Sequence, residues 1–195
     1  MNFNLRRSKQ LRARKLTVNL PPEVKLSAIS LNRGAGDLSV TNVSADTITI
    51  ADGVGNLYME NVSVNSMNLS GGVGDCTLVN FTSTGEVEIT RGVGEMELSR
   101  VNIGGNLTVS GGTGDFDLNG AVKGDISIDA GVGDCDLELF GSRDDYYFTL
   151  EKGVGDLTVD DIDFSSKQKT FGLEGAPYNV SLKGGTGDIS VEFLQ

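Results

Sequence analysis

Seven carboxylates and one amide occupy the same position of a repeated phrase, and they are the side chains best suited to chemistry. Each follows the second glycine of a Gly-x-Gly turn and precedes an apolar-polar-apolar run. They are Asp37, Asn56, Asp75, Glu95, Asp115, Asp134, Asp156 and Asp188. Strand parity predicts that they face outward, with neighbours about 4.8 Å apart. Such a column must face solvent or a cation, because charges at that spacing repel by about 3.5 kcal/mol at an effective dielectric near 20.

The column widens in its middle, where three copies carry a second outward acid two residues on. The resulting patch contains Glu95, Glu97, Asp115, Asp117, Asp134 and Asp136. Oxygen ligands of this kind suit Ca²⁺, so the six residues are candidate calcium ligands. The alternative is structural: each aspartate accepts hydrogen bonds from the amides of its own glycine turn, as in an Asx turn, and is otherwise solvated. No other cofactor is expected.

The chain contains no histidine, which argues against the common catalytic and metal sites. Histidine is the usual general base and the commonest metal ligand, and the usual serine and cysteine triads require it. A carbohydrate-active enzyme built on paired carboxylates is the remaining enzymatic hypothesis. The regular column argues against it, since such an enzyme needs one isolated pair in a cleft. We therefore expect a protein that is not an enzyme.

The spacing of the phrase predicts the fold. The second glycine of each copy stands at 36, 55, 74, 94, 114, 133, 155 and 187. A repeat of 19 or 20 residues is typical of stacked architectures in which each unit buries its apolar side against its neighbours. Two alternating apolar pairs per repeat indicate at least two strands, and equivalent strands must pair in parallel. The prediction is an all-β, single-domain parallel β-solenoid, right-handed, with about nine rungs.

Three details refine this prediction. The first rung is expected to begin at Leu16 and to contain a Pro21-Pro22 turn. The paired glycines are expected to provide positive φ at a tight corner and to allow stacked corners to approach closely. An intermittent apolar residue between the two strands, as at Val43 and Val62, indicates a third short side.

Charge divides the chain into two parts. Residues 1–15 form a basic arm of charge +6, whereas the expected solenoid domain, residues 16–195, carries −17. The acidic body predicts no binding to nucleic acid. The arm is expected to lie on this body or to cap its first rung; contact with an anionic membrane or polymer is the alternative. It lacks the apolar run of a signal peptide or of a spanning helix.

The repeat is interrupted twice near its end, by insertions at 140–147 and 160–178. These segments hold half of the twelve aromatic residues of the chain, including Tyr146, Tyr147, Phe164, Phe171 and Tyr178. Irregular loops on a rigid scaffold often bind ligands, so Tyr146, Tyr147, Phe171 and Tyr178 are candidate ligand contacts. The alternative is that the insertions only cover the last rungs, since a bare terminal edge invites aggregation.

The two cysteines, Cys76 and Cys135, occupy the same slot three repeats apart. Stacked strands would separate them by about 14 Å, too far for a disulfide, so we expect both to fill the core as free thiols. Six Asn-x-Ser/Thr triplets, including those at Asn42, Asn61 and Asn80, are interpreted as by-products of outward polar residues alternating with the core.

With these residues in view, the chain resembles the DUF4097 family of bacterial proteins, annotated by inference as adhesins. The resemblance covers residues 16–195 and rests on the recurrent Gly-Val-Gly-Asp-Leu phrase, the opening Leu16-Thr-Val-Asn-Leu-Pro-Pro, the segment Gly141-Ser-Arg-Asp-Asp-Tyr-Tyr and the closing Gly184-Gly-Thr-Gly-Asp. It implies a β-helical, non-catalytic domain of the cell envelope without established site residues. Relatives commonly have a membrane segment, which is lacking here, so a cytoplasmic location is the alternative.

Three hypotheses for function follow. The first is an adhesin-like binding or structural module that presents an acidic side and aromatic loops to a surface polymer or protein. The second is a self-assembling scaffold resembling bactofilins, in which coil ends or edges of different molecules stack. The third, and least favoured, is the carbohydrate-active enzyme.

Overall fold

The computed structural model describes residue 21 and residues 24–160, 162–164 and 168–194. The basic arm and the predicted strand beginning at Leu16 lie outside these ranges. Within these ranges the chain forms seventeen strands and one short 3₁₀ turn. The strands of the first part are β1 Lys25–Asn32, β2 Leu38–Ala51, β3 Leu57–Val64, β4 Ser66–Ser70, β5 Cys76–Ser83, β6 Val87–Thr90, β7 Met96–Ile103, β8 Leu107–Ser110, β9 Phe116–Val122, β10 Ile126–Asp129 and β11 Cys135–Phe140. Those of the last part are β12 Tyr146–Glu151, β13 Leu157–Val159, β14 Ile162–Asp163, β15 Gln168–Gly172, β16 Tyr178–Lys183 and β17 Ile189–Leu194.

Each rung has three short sides around an apolar interior. In β3 and β4 the residues Leu57, Met59, Val62, Val64 and Met67 are buried, while the residues between them face outward. At each bend two residues that are not buried follow one another, between Met59 and Val62 and between Val64 and Met67, and the alternation of period two then resumes, so every side contributes its apolar residues to one core. The third short side predicted from Val43 and Val62 is therefore present: Val62 is fully buried and Val43 packs against the core.

Equivalent residues of successive rungs lie directly over one another. Leu57 pairs with Cys76, Cys76 with Met96, Met96 with Phe116, and Phe116 with Cys135, all in parallel. We call the strands that follow the glycine corner sheet A and those that precede it sheet B. Because one register error would turn every apolar residue outward, the buried pattern fixes the stacking. The predicted all-β parallel solenoid is confirmed.

The order of the last rungs differs from the prediction. In sheet A the strand β17 lies between β11 and β13, and in sheet B the strand β16 lies between β10 and β12. After β11 the chain passes one level further to form β12 and β13, then returns, and its final segment fills the level left open. The expectation that successive copies always lie adjacent is therefore wrong for the last two copies.

The inserted segment 160–178 covers the end of the coil. It supplies β14, antiparallel to β13, and β15, antiparallel to β12, so that both sheets end in a reversed strand. Eight glycine corners stack along the described part of the coil, from Ala35 to Val154, slightly fewer than the nine rungs expected. The predicted strand of the first rung that begins at Leu16 lies outside the described residues.

The two glycines of a corner have different reasons to be glycine. Gly74 adopts φ 134°, a conformation that other residues rarely reach. Gly72 has no positive φ, but a Cβ there would lie 1.8 Å from the carbonyl oxygen of Gly53 in the rung below. Gly74 combines positive φ with close stacking, since a Cβ there would lie 2.3 Å from the carbonyl oxygen of Gly55, whereas at Gly72 close stacking acts alone.

A second corner is formed by asparagines in the left-handed conformation. Asn42, Asn61 and Asn80 have φ between 52° and 54°, which asparagine tolerates better than most residues. Each side-chain amide donates to the side-chain oxygen of the asparagine below, at 3.0 Å for both pairs, and Arg100 Nε ends the ladder on Asn80 at 2.7 Å. These triplets therefore have a structural role at a corner, beyond the by-product interpretation.

Both cysteines are free and buried. Desolvation raises the pKa of each thiol to about 12, so neither is a reactive thiolate at neutral pH. The prediction of two unpaired core cysteines is confirmed.

Candidate functional site: the acidic side of the glycine corner

The column of eight residues, which we call the Asx column, is exposed along its whole length and is tied together by hydrogen bonds. The backbone N–H of Asn56 donates to Asp37 Oδ1 at 3.0 Å, and that of Asp75 donates to Asn56 Oδ1 at 3.1 Å. Six of the eight side chains receive the amide of the equivalent residue one rung on, whereas Glu95 receives none from Asp115, and Asp156 ends the column. The interpretation that each aspartate accepts from its own glycine turn is wrong in this respect, because the neighbouring rung lies closer to the carboxylate.

The hydrogen bonds of the Asx column also follow the order of the last rungs, in which the final copy lies between two earlier ones. We call this the exchanged order. Asp188 N donates to Asp134 Oδ1 at 2.9 Å, and Asp156 N donates to Asp188 Oδ1 at 2.7 Å. Asp188 thus lies between Asp134 and Asp156. One oxygen of Asp134 and one of Asp188 are engaged by backbone, which leaves the other oxygen and the charge of each facing outward.

A broader acidic surface continues from the column across the outer face of sheet A. Five carboxylates line a shallow open groove of about 400 Å³ there, together with Ser99, Asn119 and Ser190. We call this surface the acidic groove, and its carboxylates are Glu97, Asp117, Asp136, Glu138 and Glu192. Asn119 Nδ2 donates to Glu138 at 2.6 Å. None of the five belongs to a salt bridge with a described lysine or arginine.

Electrostatics within the groove disfavour full ionisation of its central acids. Glu97 pairs with Asp117, and Asp117 pairs with Asp136, so like charges lie directly opposite one another. Desolvation, followed by repulsion from neighbouring carboxylates, raises the pKa of both Asp117 and Asp136. The groove is thus a strained concentration of negative charge that a cationic partner would relieve.

The six candidate calcium ligands lie in two adjacent files and do not converge on one point. Over the described ranges, no group of three or more acidic or cysteine side chains is arranged to hold a metal ion. Glu95 and Glu97 belong to one rung, Asp115 and Asp117 to the next, and Asp134 and Asp136 to the third. Since Ca²⁺ takes six to eight oxygen ligands around one centre, this surface lacks a preassembled calcium cage.

A file of exposed valines runs beside the Asx column. The middle residues of the glycine corners pair in parallel from rung to rung, and we call them the valine ridge: Val54, Val73, Val93, Thr113, Val132, Thr186 and Val154. Its five valines are 49–71% exposed. Sequence reasoning treated this position only as corner geometry. The signal that could have revealed the ridge is valine in five of eight copies at a position flanked by glycines.

Two arginines clamp the glycine corners from within. Arg91, 7% exposed, donates to the carbonyl oxygens of Ala130 at 2.9 Å, Asp115 at 3.0 Å and Gly114, and lies over the Phe116 ring. Arg33 binds Asp52 and the carbonyl oxygens of Gly36, Gly55 and Asn56. Sequence reasoning missed both. They share the slot before the first glycine. Five of the other copies have a short residue there, and the sixth has Lys152, which bonds Asp156 of its own copy.

The aromatic insertion forms the end of the core. Tyr146 is 3% exposed, and its hydroxyl donates to the carbonyl oxygen of Val122 at 2.6 Å. Burial raises the pKa of Tyr146 to about 12. The expectation that Tyr146 contacts a ligand is therefore wrong, because it lies on a core position of β12.

The other aromatic residues of this region form a stacked plug. Phe171 stacks on Phe148 with ring centroids 4.6 Å apart and on Phe164 at 5.0 Å, and Tyr178 packs on Tyr146 at 5.6 Å. Tyr147, Phe171 and Tyr178 are half-buried, and their contact with a ligand stays a prediction. The region covers the last rungs, as the structural alternative held.

Comparison with known families agrees with this architecture. The family model described as Toastrack DUF4097 matches residues 1–192. The chain belongs to this family. The match includes the basic arm, which lies outside the resemblance drawn from the repeats. No curated protein and no solved structure matches the Toastrack chain. In the part of the chain that the structure describes, no helix is long and apolar enough to span a membrane.

Proposed function

We propose that this Toastrack domain is a non-catalytic binding and structural module of the bacterial cell envelope, with an adhesin-like role. Its acidic groove presents negative charge to a cationic surface polymer or protein. The observation that carries the proposal is a rigid, hydrogen-bonded scaffold that holds five exposed carboxylates without a described basic partner. A shallow, open groove of this kind fits an extended polymer better than a small molecule.

The net negative charge of the domain also favours a cationic partner. Residues 16–195 carry a charge of −17, and a surface of one sign raises the local concentration of oppositely charged partners and their rate of association. The groove concentrates this charge along β7, β9, β11 and β17. Binding should therefore weaken steeply with ionic strength.

The arrangement of the acids supports a non-catalytic role. A glycosidase places two carboxyl groups on opposite sides of a scissile bond, with one pKa raised so that the group acts as an acid. Here Asp117 and Asp136 are adjacent members of one file and share the same outer face. Both pKa values are raised in the same direction, so the environment does not divide the two carboxyl groups into an acid and a base.

The capped end of the coil argues against the bactofilin-like alternative. End-to-end stacking needs two bare parallel edges, but β14 and β15 reverse the strand direction at one end. Electron microscopy at high protein concentration tests this alternative directly. Regular filaments of the full chain would favour a self-assembling scaffold over the proposed binding module.

The binding proposal is tested with immobilised polylysine and chitosan oligomers as cationic probes and with dextran as a neutral one. The groove variant changes four residues, Glu97→Gln, Asp117→Asn, Asp136→Asn and Glu138→Gln. The control removes the same charge on or beside sheet B, where all four residues are exposed or at the sheet rim: Glu86→Gln, Glu88→Gln, Asp125→Asn and Glu151→Gln.

We expect the parent chain and the control to bind the immobilised cationic probes at low salt and not to bind dextran. The groove variant should lose binding to the cationic probes. Equal losses in both variants would show that only net charge matters and would contradict a localised groove. Retention of dextran, or retention unaffected by salt, would contradict the electrostatic mechanism. A glycan array then defines the ligand class.

A further inference from the structure

The valine ridge is an apolar surface without a described cover. Val54, Val73 and Val93 are 56%, 50% and 51% exposed, and Val154 is 71% exposed. From Val54 to Val154 the ridge crosses six rung spacings, about 29 Å at the usual spacing of parallel strands. Val54, Val73 and Val93 are consecutive in the ridge, and Thr113 and Thr186 interrupt the valines further along. An exposed apolar strip on a soluble protein usually marks an interaction surface.

The Asx column lies two residues further along the chain and runs parallel to the ridge. The two files therefore form one composite surface, with an apolar strip beside a negative strip. Over the described ranges, the only salt bridge to the column joins Lys152 to Asp156 at 3.1 Å. The remaining carboxylates of the column repel one another along the axis. An occupant should thus combine apolar side chains with several cations and carry no acids.

Residues 1–15 have this composition. The segment contains Arg6, Arg7, Lys9, Arg12, Arg14 and Lys15, no acid, and the apolar residues Phe3, Leu5 and Leu11. We propose that this arm docks on the valine ridge of the same molecule, with its apolar side chains on the valines and its cations on the Asx column. The ridge is thereby an internal docking surface that the arm covers.

Reach is sufficient for docking within one molecule. Nine residue steps separate Lys15 from Val24, and an extended chain spans about 3.3 Å per residue, so this connection reaches about 30 Å. Ala35 is the middle residue of the first glycine corner. It pairs with Val54, the first residue of the valine ridge, at the same end of the coil as β1. A second copy is a poorer occupant, because its own ridge is bordered by the same carboxylates.

The proposal gives the arm a competitive role. A cationic polymer or protein that approaches the glycine-corner side meets a surface already partly neutralised by the arm. Release of the arm by salt, or its displacement by a stronger cation, exposes the ridge and the column together. This inference concerns the arm and the ridge, and it stands or falls independently of ligand binding at the acidic groove.

Paramagnetic relaxation in the full-length chain tests the docking. A spin label is attached at Ser8→Cys. Cys76 and Cys135 are buried with thiol pKa values near 12, so the new cysteine is labelled selectively. Amide and valine methyl signals are then compared in the oxidised and reduced label, at low salt and at about 1 M salt, where the Debye length is about 3 Å.

We expect the signals of Val54, Val73 and Val93, and of the adjacent corner glycines, to lose most of their intensity at low salt and to recover at high salt. Replacement of all six arm cations by glutamine should abolish the loss. Val73→Lys with Val93→Lys should also abolish it, whereas the control Ser63→Lys with Asn102→Lys, at exposed positions away from the ridge, should not.

Three results would overturn the proposal. One is uniform or absent signal loss. Another is loss confined to β1 and to the start of β2, which would place the arm on the first rung as a cap. The third is signal loss that arises between molecules. It would be seen when isotope-labelled chains without a spin label are mixed with spin-labelled chains without the isotope, and it would place the arm on a second molecule. A dispersed spectrum of each variant confirms that the solenoid is folded.

Discussion

The first rungs and the last rungs of this solenoid carry the same repeated phrase but are assembled differently. From β2 to β11 each new copy lies on the previous one, so order in space equals order in sequence. After β11 the order changes, and the last copy fits between two earlier ones. The phrase therefore specifies the shape of a rung, whereas connection length and the aromatic plug decide its level.

The largest expected effect is a loss of stability at two buried phenylalanines, one in each region. Phe116 lies in the regular stack and Phe148 in the exchanged end, and both are fully buried. Replacement of either by alanine should lower the free energy of unfolding by about 3–5 kcal/mol. Because rungs couple mainly to their neighbours, Phe148→Ala should increase hydrogen exchange in β12, β15 and β16 and leave β3 and β5 protected.

Phe116→Ala should instead reduce protection on both sides of the stack. Urea denaturation and native-state hydrogen exchange measure the two effects. If Phe148→Ala lost protection evenly along the whole coil, the end and the stack would form one cooperative unit, and the distinction drawn between them would be wrong.

The second test concerns the clamp that holds the regular stack. Arg91 joins three successive corners through the carbonyl oxygens of Gly114, Asp115 and Ala130. Arg91→Met keeps much of the side-chain volume but leaves these acceptors without their donor, which should cost about 2–3 kcal/mol. The exchanged end has Gly184 and Lys152 in this slot. Gly184 has no side chain, and Lys152 bonds Asp156 of its own copy, so neither forms a comparable clamp.

Arg100→Met is the matched control, because Arg100 is exposed and bonds one side chain, Asn80. It should change stability by no more than about 0.5 kcal/mol. Chemical denaturation of both variants measures the difference. Equal losses would mean that the carbonyl contacts of Arg91 contribute nothing beyond a surface hydrogen bond.

The sequence predicted the regular part of the fold because its information is periodic. Apolar pairs such as Leu57 and Met59 fix the buried face, and the even spacing of the glycine corners fixes the stacking. The exchanged order was not predicted, since the phrases at Gly155 and Gly187 are locally like the others. The sequence signals were the two long spacings near the end, 22 residues before Gly155 and 32 residues before Gly187.

The candidate surface was predicted in part for the same reason. Strand parity placed the Asx column and Glu97, Asp117 and Asp136 outward, as the structure has them. The direction of the hydrogen bonds was not predictable, since it depends on whether the next rung or the same turn lies nearer. Tyr146 was misjudged because a long interval suggested a loop, whereas its residues continue the strand alternation of β12.

A third test uses pH on the acidic groove of the stack. The folded-state pKa values of Asp117 and Asp136 are raised by desolvation and by neighbouring acids. The folded state therefore binds these protons more tightly than the unfolded state does. Protonation of these two carboxyl groups therefore stabilises the folded state. This contribution is complete below the pKa of the unfolded chain, near 4, and is lost as the pH rises through the pKa of the folded state.

Asp117→Asn and Asp136→Asn should accordingly raise the melting temperature at pH 7. The gain should shrink as the pH falls towards about 4, where the parent carboxylates become protonated. Thermal melts across this range measure it. Asp156→Asn is the comparison at the exchanged end: Lys152 faces this carboxylate, so no gain is expected there. A constant gain at all pH values would contradict the electrostatic cause.

The smallest expected effect distinguishes the two possible orders of the last rungs. Asp136 lies opposite Ser190 of β17, whereas stacking in sequence order would place it opposite Thr158 of β13. A carboxylate at position 190 would extend the acidic file next to Asp136, and like charges directly opposite are destabilising by up to about 1 kcal/mol. Ser190→Asp should therefore lower the melting temperature at low salt more than Thr158→Asp does.

High salt should remove most of that difference, because both positions are only half-buried and exposed charges are screened. The amide replacements Ser190→Asn and Thr158→Asn control for side-chain size and strand propensity. A larger loss from Thr158→Asp would mean that β13, and not β17, lies beside β11. In that case the exchanged order would be wrong, and the C-terminal end would be a simple continuation of the stack.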